Sequence, residues 1–181
     1  MGLSVYSVPN IIVGISFILL GIFVFSKNPR KRPNRVFFLL GCTSFLWQIM
    51  YALAFSLSDA REAFLALRFG YVGVNFIAPL ACHSAYIVSR QDQKFKAYIT
   101  ATYVLGGIFA VLILTTPLII SEPYKYFWGY YPKHGLLHPF FLASFIGQVN
   151  VAIIAYTYEL IFKRKSKTKL QFTQMALMLG G

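Results

Sequence analysis

The sequence predicts an all-α fold, a polytopic bundle of transmembrane helices with five full spans and the start of a sixth. Hydrophobic residues make up 57% of the 181 residues and charged residues only 12%, whereas a soluble domain has roughly 25% charged residues. The apolar residues are gathered in runs of about 20, the length that crosses a hydrocarbon core about 30 Å thick. The 17 Lys and Arg residues lie mostly in short clusters between these runs. We therefore expect a lipid bilayer to be the main partner of the chain.

The expected spans follow the apolar runs in order. They cover residues 8–26, 36–56, 63–89, 97–120 and 139–162, and residues 172–181 begin a sixth. A basic cluster follows the first run instead of preceding it, which is the reverse of a signal peptide, so we expect the first run to be retained. The sixth run stops after ten residues, which reach only about 15 Å. Residues 1–181 are thus predicted to be a single domain from a longer protein.

The basic residues predict the orientation of the bundle. Thirteen of the seventeen lie in the loops 27–35, 90–96 and 163–169, which all face the same side of the membrane. Since basic loops stay in the cytoplasm, the N-terminus is predicted to lie outside. The same placement accounts for the net charge of +12, so nucleic acid is not an expected partner. The loop 121–138, rich in aromatic residues and interrupted by Pro and Gly, is predicted to fold as a cap on the outer helix ends.

One face of the third span carries a polar stripe. Its members follow one another at spacings of three, four, four and three, which places them on one side of a helix: Arg68, Tyr71, Asn75, Pro79 and Cys82. Polar side chains in a span usually face protein or a cavity. Two interpretations remain open, a hydrogen-bonded seam between helices with Arg68 reaching the outer interface, and the wall of a ligand pocket that opens outward. Pro79 is predicted to kink the helix and act as a hinge.

Two other spans contribute polar or aromatic side chains at related depths. At 1.5 Å per residue, Gln48 lies about 18 Å from the inner end of its span and Gln148 about 14 Å from the outer end of its own. We therefore expect these two side chains to approach each other near mid-membrane. The candidate ligand-binding residues are Trp47, Gln48, Tyr51, Arg68, Tyr71, Asn75, Gln148 and Asn150.

The sequence predicts neither catalysis nor a metal or cofactor site. His83 and Cys82 are adjacent and would point about 100° apart on a helix, with no carboxylate beside them. The chain contains no HExxH, no nucleophile elbow, no P-loop and no dinucleotide fingerprint. None of the five acidic residues lies near the middle of a span, which disfavours an ion pump or a cation-coupled transporter.

Several short motifs carry a resemblance to a known family. They are Asn34-Arg35 after a basic loop, Trp47 with Tyr51, Ala63–Gly73 (AFLALRFGYVG) leading to Pro79, Tyr130-Tyr131-Pro132, and Lys169–Gly181 (KLQFTQMALMLGG). With an outside N-terminus, this pattern resembles the seven-helix N-terminal sensor region that precedes histidine kinase, PAS and diguanylate cyclase modules in bacteria. The sequence is similar to that region over most of its length and stops after the start of helix six.

The resemblance implies a sensory function in the cytoplasmic membrane of a bacterium. The stripe, with Trp47 and Tyr51, would line an outer-half site for a small, partly apolar signal molecule or would respond to the state of the membrane. The helices would relay the signal to a cytoplasmic output module in the same chain, in a receptor that works as a homodimer. The alternative is a transporter or channel component, in which the polar residues of spans two, three and five line a permeation path.

Overall fold

The computed structural model describes residues 2–162, so the third basic cluster and the start of a sixth span lie outside the described residues. After a 3-10 turn at Val5–Ser7, helix α1 covers Val8–Lys27, α2 Arg32–Ser56, α3 Ala60–Val88, α4 Lys96–Thr115 and α5 His138–Phe162. All five are long and apolar enough to cross a membrane. The predicted all-α transmembrane fold is confirmed, and the chain is a multi-pass membrane protein.

Local signals explain where several helices begin. Asp59 precedes α3, and its carboxylate accepts a hydrogen bond from the backbone N–H of Glu62 at 2.9 Å, which satisfies one of the free donors of the first turn. Pro9 and Pro33 lie in the first turns of α1 and α2, where their missing N–H costs no helical hydrogen bond.

Helix α3 is the centre of the bundle. It packs on α2, α4 and α5, and α1 packs on the opposite side of α2. The α2–α3 contact is close because Gly73 presents only a hydrogen atom to α2: a Cβ there would lie 2.6 Å from the carbonyl oxygen of Thr43. Small residues permit such close backbone approach between membrane helices.

Contacts at the helix ends place alternate loops together. At one end, the guanidinium of Arg32 lies 3.4 Å from the carboxylate of Asp92, which joins the start of α2 to the loop before α4. At the other end, the Ser7 hydroxyl donates to the carbonyl of Ala52 at 2.7 Å. The two basic loops that the structure describes therefore share one end of the bundle.

The prediction that the fourth span reaches residue 120 is wrong. Helix α4 ends at Thr115, and Thr116 is extended with φ −132° and ψ 163°, because the following Pro117 disfavours a helical conformation in the residue before it. Ile119 and Ile120 extend the apolar run in the sequence past Pro117. In the structure they follow the end of α4, and both are fully buried.

The loop 121–138 folds as a β-hairpin, and we call the end of the bundle that it covers the outer end, as the charge pattern predicts. Strand β1 covers Ile120–Tyr126 and β2 covers Gly129–His134, paired antiparallel from Tyr126 opposite Gly129 to Ile120 opposite His134. Gly129 has φ +136° and its Cα faces the backbone of Phe55, where a Cβ would lie 2.5 Å from the Phe55 Cα. The hairpin thus rests directly on the end of α2, as the predicted cap.

Candidate functional site

The polar stripe of α3 faces protein, but its two halves have different neighbours. Asn75 and Cys82 are 4% and 0% exposed, and both contact α4 or α5. Tyr71 lies nearer the hairpin and contacts the ring of Tyr51 on α2. The stripe therefore divides into an outer aromatic half and an inner polar half.

Arg68 joins α3 to the end of α4. Its Nη1 donates to the carbonyl of Leu114 at 2.7 Å and its Nη2 to that of Thr116 at 3.2 Å, while the guanidinium lies 4.5 Å from the centre of the Phe64 ring. The last carbonyls of a helix lack intrahelical donors and carry partial negative charge, so a cation stabilises them. Arg68 of α3 thus caps the C-terminal end of α4.

The outer half of the bundle contains a cluster of aromatic rings around Tyr51. The ring of Tyr51, on α2, is 8% exposed and lies 6.5 Å from that of Tyr71 on α3, 6.3 Å from Trp47 and 5.8 Å from Tyr131 on the hairpin. Rings at these separations attract one another by about 0.5–1.5 kcal/mol per pair. Tyr51 therefore connects α2, α3 and β2.

Beside this cluster an aromatic cleft opens at the outer end of the molecule. Its volume is about 380 Å³, and its walls come from the N-terminal turn, the end of α2 and the hairpin: Tyr6, Phe55, Tyr126, Trp128 and Tyr131. Two of these rings, Tyr126 and Trp128, stack with centres 4.5 Å apart and planes 4° apart. Small-molecule sites typically have volumes of about 300–1,000 Å³ and mostly apolar, aromatic walls, which is the character of this cleft.

Charged residues of the hairpin lie outside the cleft. The ammonium of Lys133 lies 2.8 Å from the carboxylate of Glu122. This hydrogen bond and the opposite charge lower the pKa of Glu122 and raise the pKa of Lys133. The ammonium of Lys125 lies 5.4 Å from the centre of the Tyr130 ring. The cleft therefore offers aromatic faces and phenolic hydroxyls to a ligand.

The inner half of the stripe contacts a small cavity between α3, α4 and α5. The Asn75 amide donates to the carbonyl of Gly106 at 2.7 Å, and the Gln148 amide donates to the Ser144 hydroxyl at 3.0 Å. The cavity beside these groups leaves only about 10 Å³ for the centre of a water-sized sphere. That is about the space that a single water molecule needs. The cavity is therefore too small for a signal molecule.

The expected approach of Gln48 and Gln148 is wrong. A Cβ added to Gly14 of α1 would lie 3.0 Å from the Cβ of Gln48. The Gln48 side chain therefore lies on the side of α2 that packs against α1. Gln148 lines the cavity on the other side of the bundle. The polar residues expected to line a permeation path are thus divided between two faces of the α2–α3 pair.

Asn150 also lies apart from the cavity. Its side chain is exposed on α5 and donates to the carbonyl of Ile146, one turn earlier, at 2.9 Å. Such a local bond satisfies an amide donor without a tertiary partner. The structure therefore does not bring the eight predicted residues into one site. Trp47, Tyr51 and Tyr71 form one cluster, Asn75 and Gln148 line the cavity, Arg68 binds the end of α4, and Gln48 and Asn150 lie apart from all of these.

Pro79 is buried within α3, which continues through it from Ala60 to Val88. Its neighbours Cys82 and His83 diverge: the Cys82 thiol donates to the carbonyl of Gln148 at 2.8 Å, while Nδ1 of His83 lies 3.1 Å from the Tyr103 hydroxyl. Within residues 2–162, His, Cys, Asp and Glu nowhere gather in a group of three that is arranged to hold a metal.

The cleft is not predictable from the sequence, because its walls come from distant parts of the chain. The sequence predicts the aromatic loop 121–138 only as a cap on the helix ends, and it gives no signal for Tyr6 and Phe55. The available signal is the spacing of two between Tyr126 and Trp128 just before Gly129, which favours a strand with both rings on one face; Tyr131, three residues after Trp128, does not continue that alternation. Pro123 and Pro132 obscure that signal because proline weakens a strand prediction.

Comparison with known proteins gives one family. No curated protein and no solved structure matches the chain. A family model described as the N-terminal seven-transmembrane region of histidine kinase matches residues 9–181. Because that match covers nearly the whole sequence, the chain belongs to the family of N-terminal seven-transmembrane sensory regions of histidine kinases.

Proposed function

We propose that this region is the ligand-sensing input of a bacterial receptor in the cytoplasmic membrane. The N-terminus lies outside, the receptor works as a homodimer, and a cytoplasmic kinase module in the same chain carries out the phosphotransfer. The signal is a small, partly apolar molecule that reaches the protein from the outer interface. The aromatic cleft is its binding site.

The observation that carries this proposal is the contact between the cleft and the helices. Tyr131 forms a wall of the cleft and also contacts Tyr51, with ring centres 5.8 Å apart. Tyr51 in turn contacts Tyr71 of α3. A ligand that displaces Tyr131 therefore changes the packing between α2 and α3.

This relay requires two arrangements of the helices. A ligand shifts such an equilibrium only as far as its affinities for the two arrangements differ. The aromatic contacts are suited to this role because each contributes only about 0.5–1.5 kcal/mol, and a ligand of modest affinity can exchange them.

The eight residues predicted from the sequence take different parts in this scheme. Trp47, Tyr51 and Tyr71 form the layer behind the cleft. Arg68, Asn75 and Gln148 hold α3 against α4 and α5, so we assign them to the seam that joins the helices. Gln48 and Asn150 have no part in the proposed site.

The proposal is tested on the full-length receptor with a reporter of its output. The stimulus is an organic extract of spent culture medium, applied over a range of concentrations. For Trp128→Ala and Tyr131→Ala, we expect the half-maximal dose to rise about two- to tenfold, because each loses an aromatic contact of about 0.5–1.5 kcal/mol and 1.4 kcal/mol corresponds to tenfold.

Phe140→Ala is the matched control. Phe140 is an outer aromatic residue, 69% exposed at the start of α5, and is not part of the cleft. Its replacement should leave the dose–response curve unchanged. Wild-type curves for both cleft variants, at wild-type abundance in the membrane, would remove the cleft from the mechanism.

A further inference from the structure

The cavity between α3, α4 and α5 contains a polar atom that the protein leaves unpaired. Gln148 is 9% exposed, and its Nε2 donates to the Ser144 hydroxyl at 3.0 Å. Its Oε1 is buried and has no hydrogen-bond partner among the described residues. A buried carbonyl oxygen without a donor is destabilising, and within the hydrocarbon core bulk water does not compensate it.

Pro79 supplies a second acceptor at the same place. Proline has no backbone N–H, so it cannot donate to the carbonyl four residues earlier in a helix. In α3 that carbonyl belongs to Asn75, and both Asn75 and Pro79 line the cavity. Gln148, whose Oε1 has no partner among the described residues, and Asn75, whose carbonyl receives no N–H from position 79, thus line the same small space.

The space fits one donor molecule and nothing much larger. About 10 Å³ is open to the centre of a water-sized sphere, and a water in a polar site of this size needs two to four partners. It can donate one proton to Oε1 of Gln148 and the other to the carbonyl of Asn75. The Ser144 hydroxyl, which also lines the cavity, can donate to its oxygen.

We propose that this cavity is the binding site of a single buried water molecule that joins α5 to α3 at Pro79. The site does not depend on which amide atom of Gln148 faces the cavity, because an N–H in that position would donate to the same water. The backbone of Gln148 is held to α3 as well, since the Cys82 thiol donates to its carbonyl at 2.8 Å. Gln148 therefore fastens α5 on both sides of the proline, directly through Cys82 and through water at Asn75.

The experiment measures magnetisation transfer from water to side chains by solid-state NMR on the complete protein in phosphatidylcholine bilayers. We expect transfer to the side-chain amide of Gln148 and to Ser144. Gln48 is the matched control, because it is the same residue type within α2 and packs towards Gly14 on α1, away from the cavity. Transfer to Gln148 no faster than to Gln48, in the folded protein, would overturn the proposal.

Two substitutions separate the water site from general hydration. Gln148→Leu should abolish the transfer to Ser144, because an acceptor and part of the space are lost, while Gln48→Leu should leave that transfer intact. If Gln148→Leu does not fold, Gln148→Met serves the same purpose with a flexible side chain. Transfer to Ser144 that persists in the folded Gln148 variant would show that Gln148 does not hold the water, and would contradict the site.

Discussion

At the scale of single residues, the stripe on α3 shows what helical spacing can and cannot predict. The spacing correctly placed Arg68, Tyr71 and Asn75 on one protein-facing side, because residues three and four apart share a helix face. It could not indicate the partners, since the carbonyls of Leu114 and Gly106 belong to α4 and carbonyls leave no trace in a sequence. The sequence leaves two interpretations of the stripe open, a seam between helices and the wall of a pocket. They can be distinguished only when the hydrogen-bond partners of the stripe residues are known.

Arg68→Gln should lower the free energy of unfolding by about 1–2 kcal/mol. The reason is the loss of two hydrogen bonds from a cation to the end carbonyls of α4, at the lower end of the usual 1.5–3 kcal/mol because Arg68 is partly exposed. The measurement is unfolding by sodium dodecyl sulfate in mixed micelles. Arg61→Gln, at an exposed position on the same helix, should change the value by less than about 0.5 kcal/mol; equal effects of the two substitutions would contradict the capping role.

At the scale of helices and strands, apolar runs predicted four of the five spans to within a few residues. The fourth was overextended because Ile119 and Ile120 continue the apolar run beyond Pro117, and hydropathy does not distinguish a buried hairpin start from a membrane helix. The hairpin itself was predicted only as a folded cap. Its pairing depends on tertiary contacts such as the Tyr130 hydroxyl, which donates to the carbonyl of Ser58 at 3.0 Å.

Gly73→Ala should destabilise the α2–α3 contact by about 1–3 kcal/mol, the usual cost of overpacking. The added Cβ would lie 2.6 Å from the Thr43 carbonyl oxygen and 2.8 Å from the Trp47 nitrogen, and backbone atoms cannot move aside as a flexible side chain can. Unfolding in mixed micelles measures the change. Gly107→Ala on α4 is the control, because a Cβ there meets nothing within 4 Å among the described residues; if it costs as much as Gly73→Ala, close approach is not the cause.

The hairpin should lose stability at both extremes of pH. The pKa of Glu122 is lowered from 4.5 by Lys133, so its contribution is present above that ordinary value and is lost as the pH falls through the lowered pKa. The pKa of Lys133 is raised from 10.5, so its contribution is lost as the pH rises through the raised pKa. Amide hydrogen exchange in residues 120–134, corrected for the intrinsic rate, should show both losses. Glu122→Gln should remove the loss of protection at low pH. If that loss is unchanged in the variant, a group other than Glu122 causes it.

At the scale of the whole molecule, the distribution of basic residues carries more information than their number. The start of α2 and the loop before α4 meet at one end through Arg32 and Asp92, and the hairpin covers the opposite end. The basic end is predicted to be cytoplasmic, because basic loops are retained on that side of the membrane. The aromatic cleft could not be predicted from the sequence. Its walls come from residues 6, 55 and 126–131, which only the assembled bundle brings together.

The orientation is tested with single cysteines in a background of Cys42→Ser and Cys82→Ser. Phe127→Cys, at a hairpin position that is 82% exposed, should react with an impermeant thiol reagent in intact cells. Gln93→Cys, in the loop before α4, should react only after permeabilisation, because basic loops remain in the cytoplasm. Position 129 is unsuitable, since a Cβ there would lie 2.5 Å from the Phe55 Cα. Labelling of Gln93→Cys but not Phe127→Cys in intact cells would show that the bundle has the opposite orientation. The aromatic cleft would then lie on the cytoplasmic side, out of reach of an external signal.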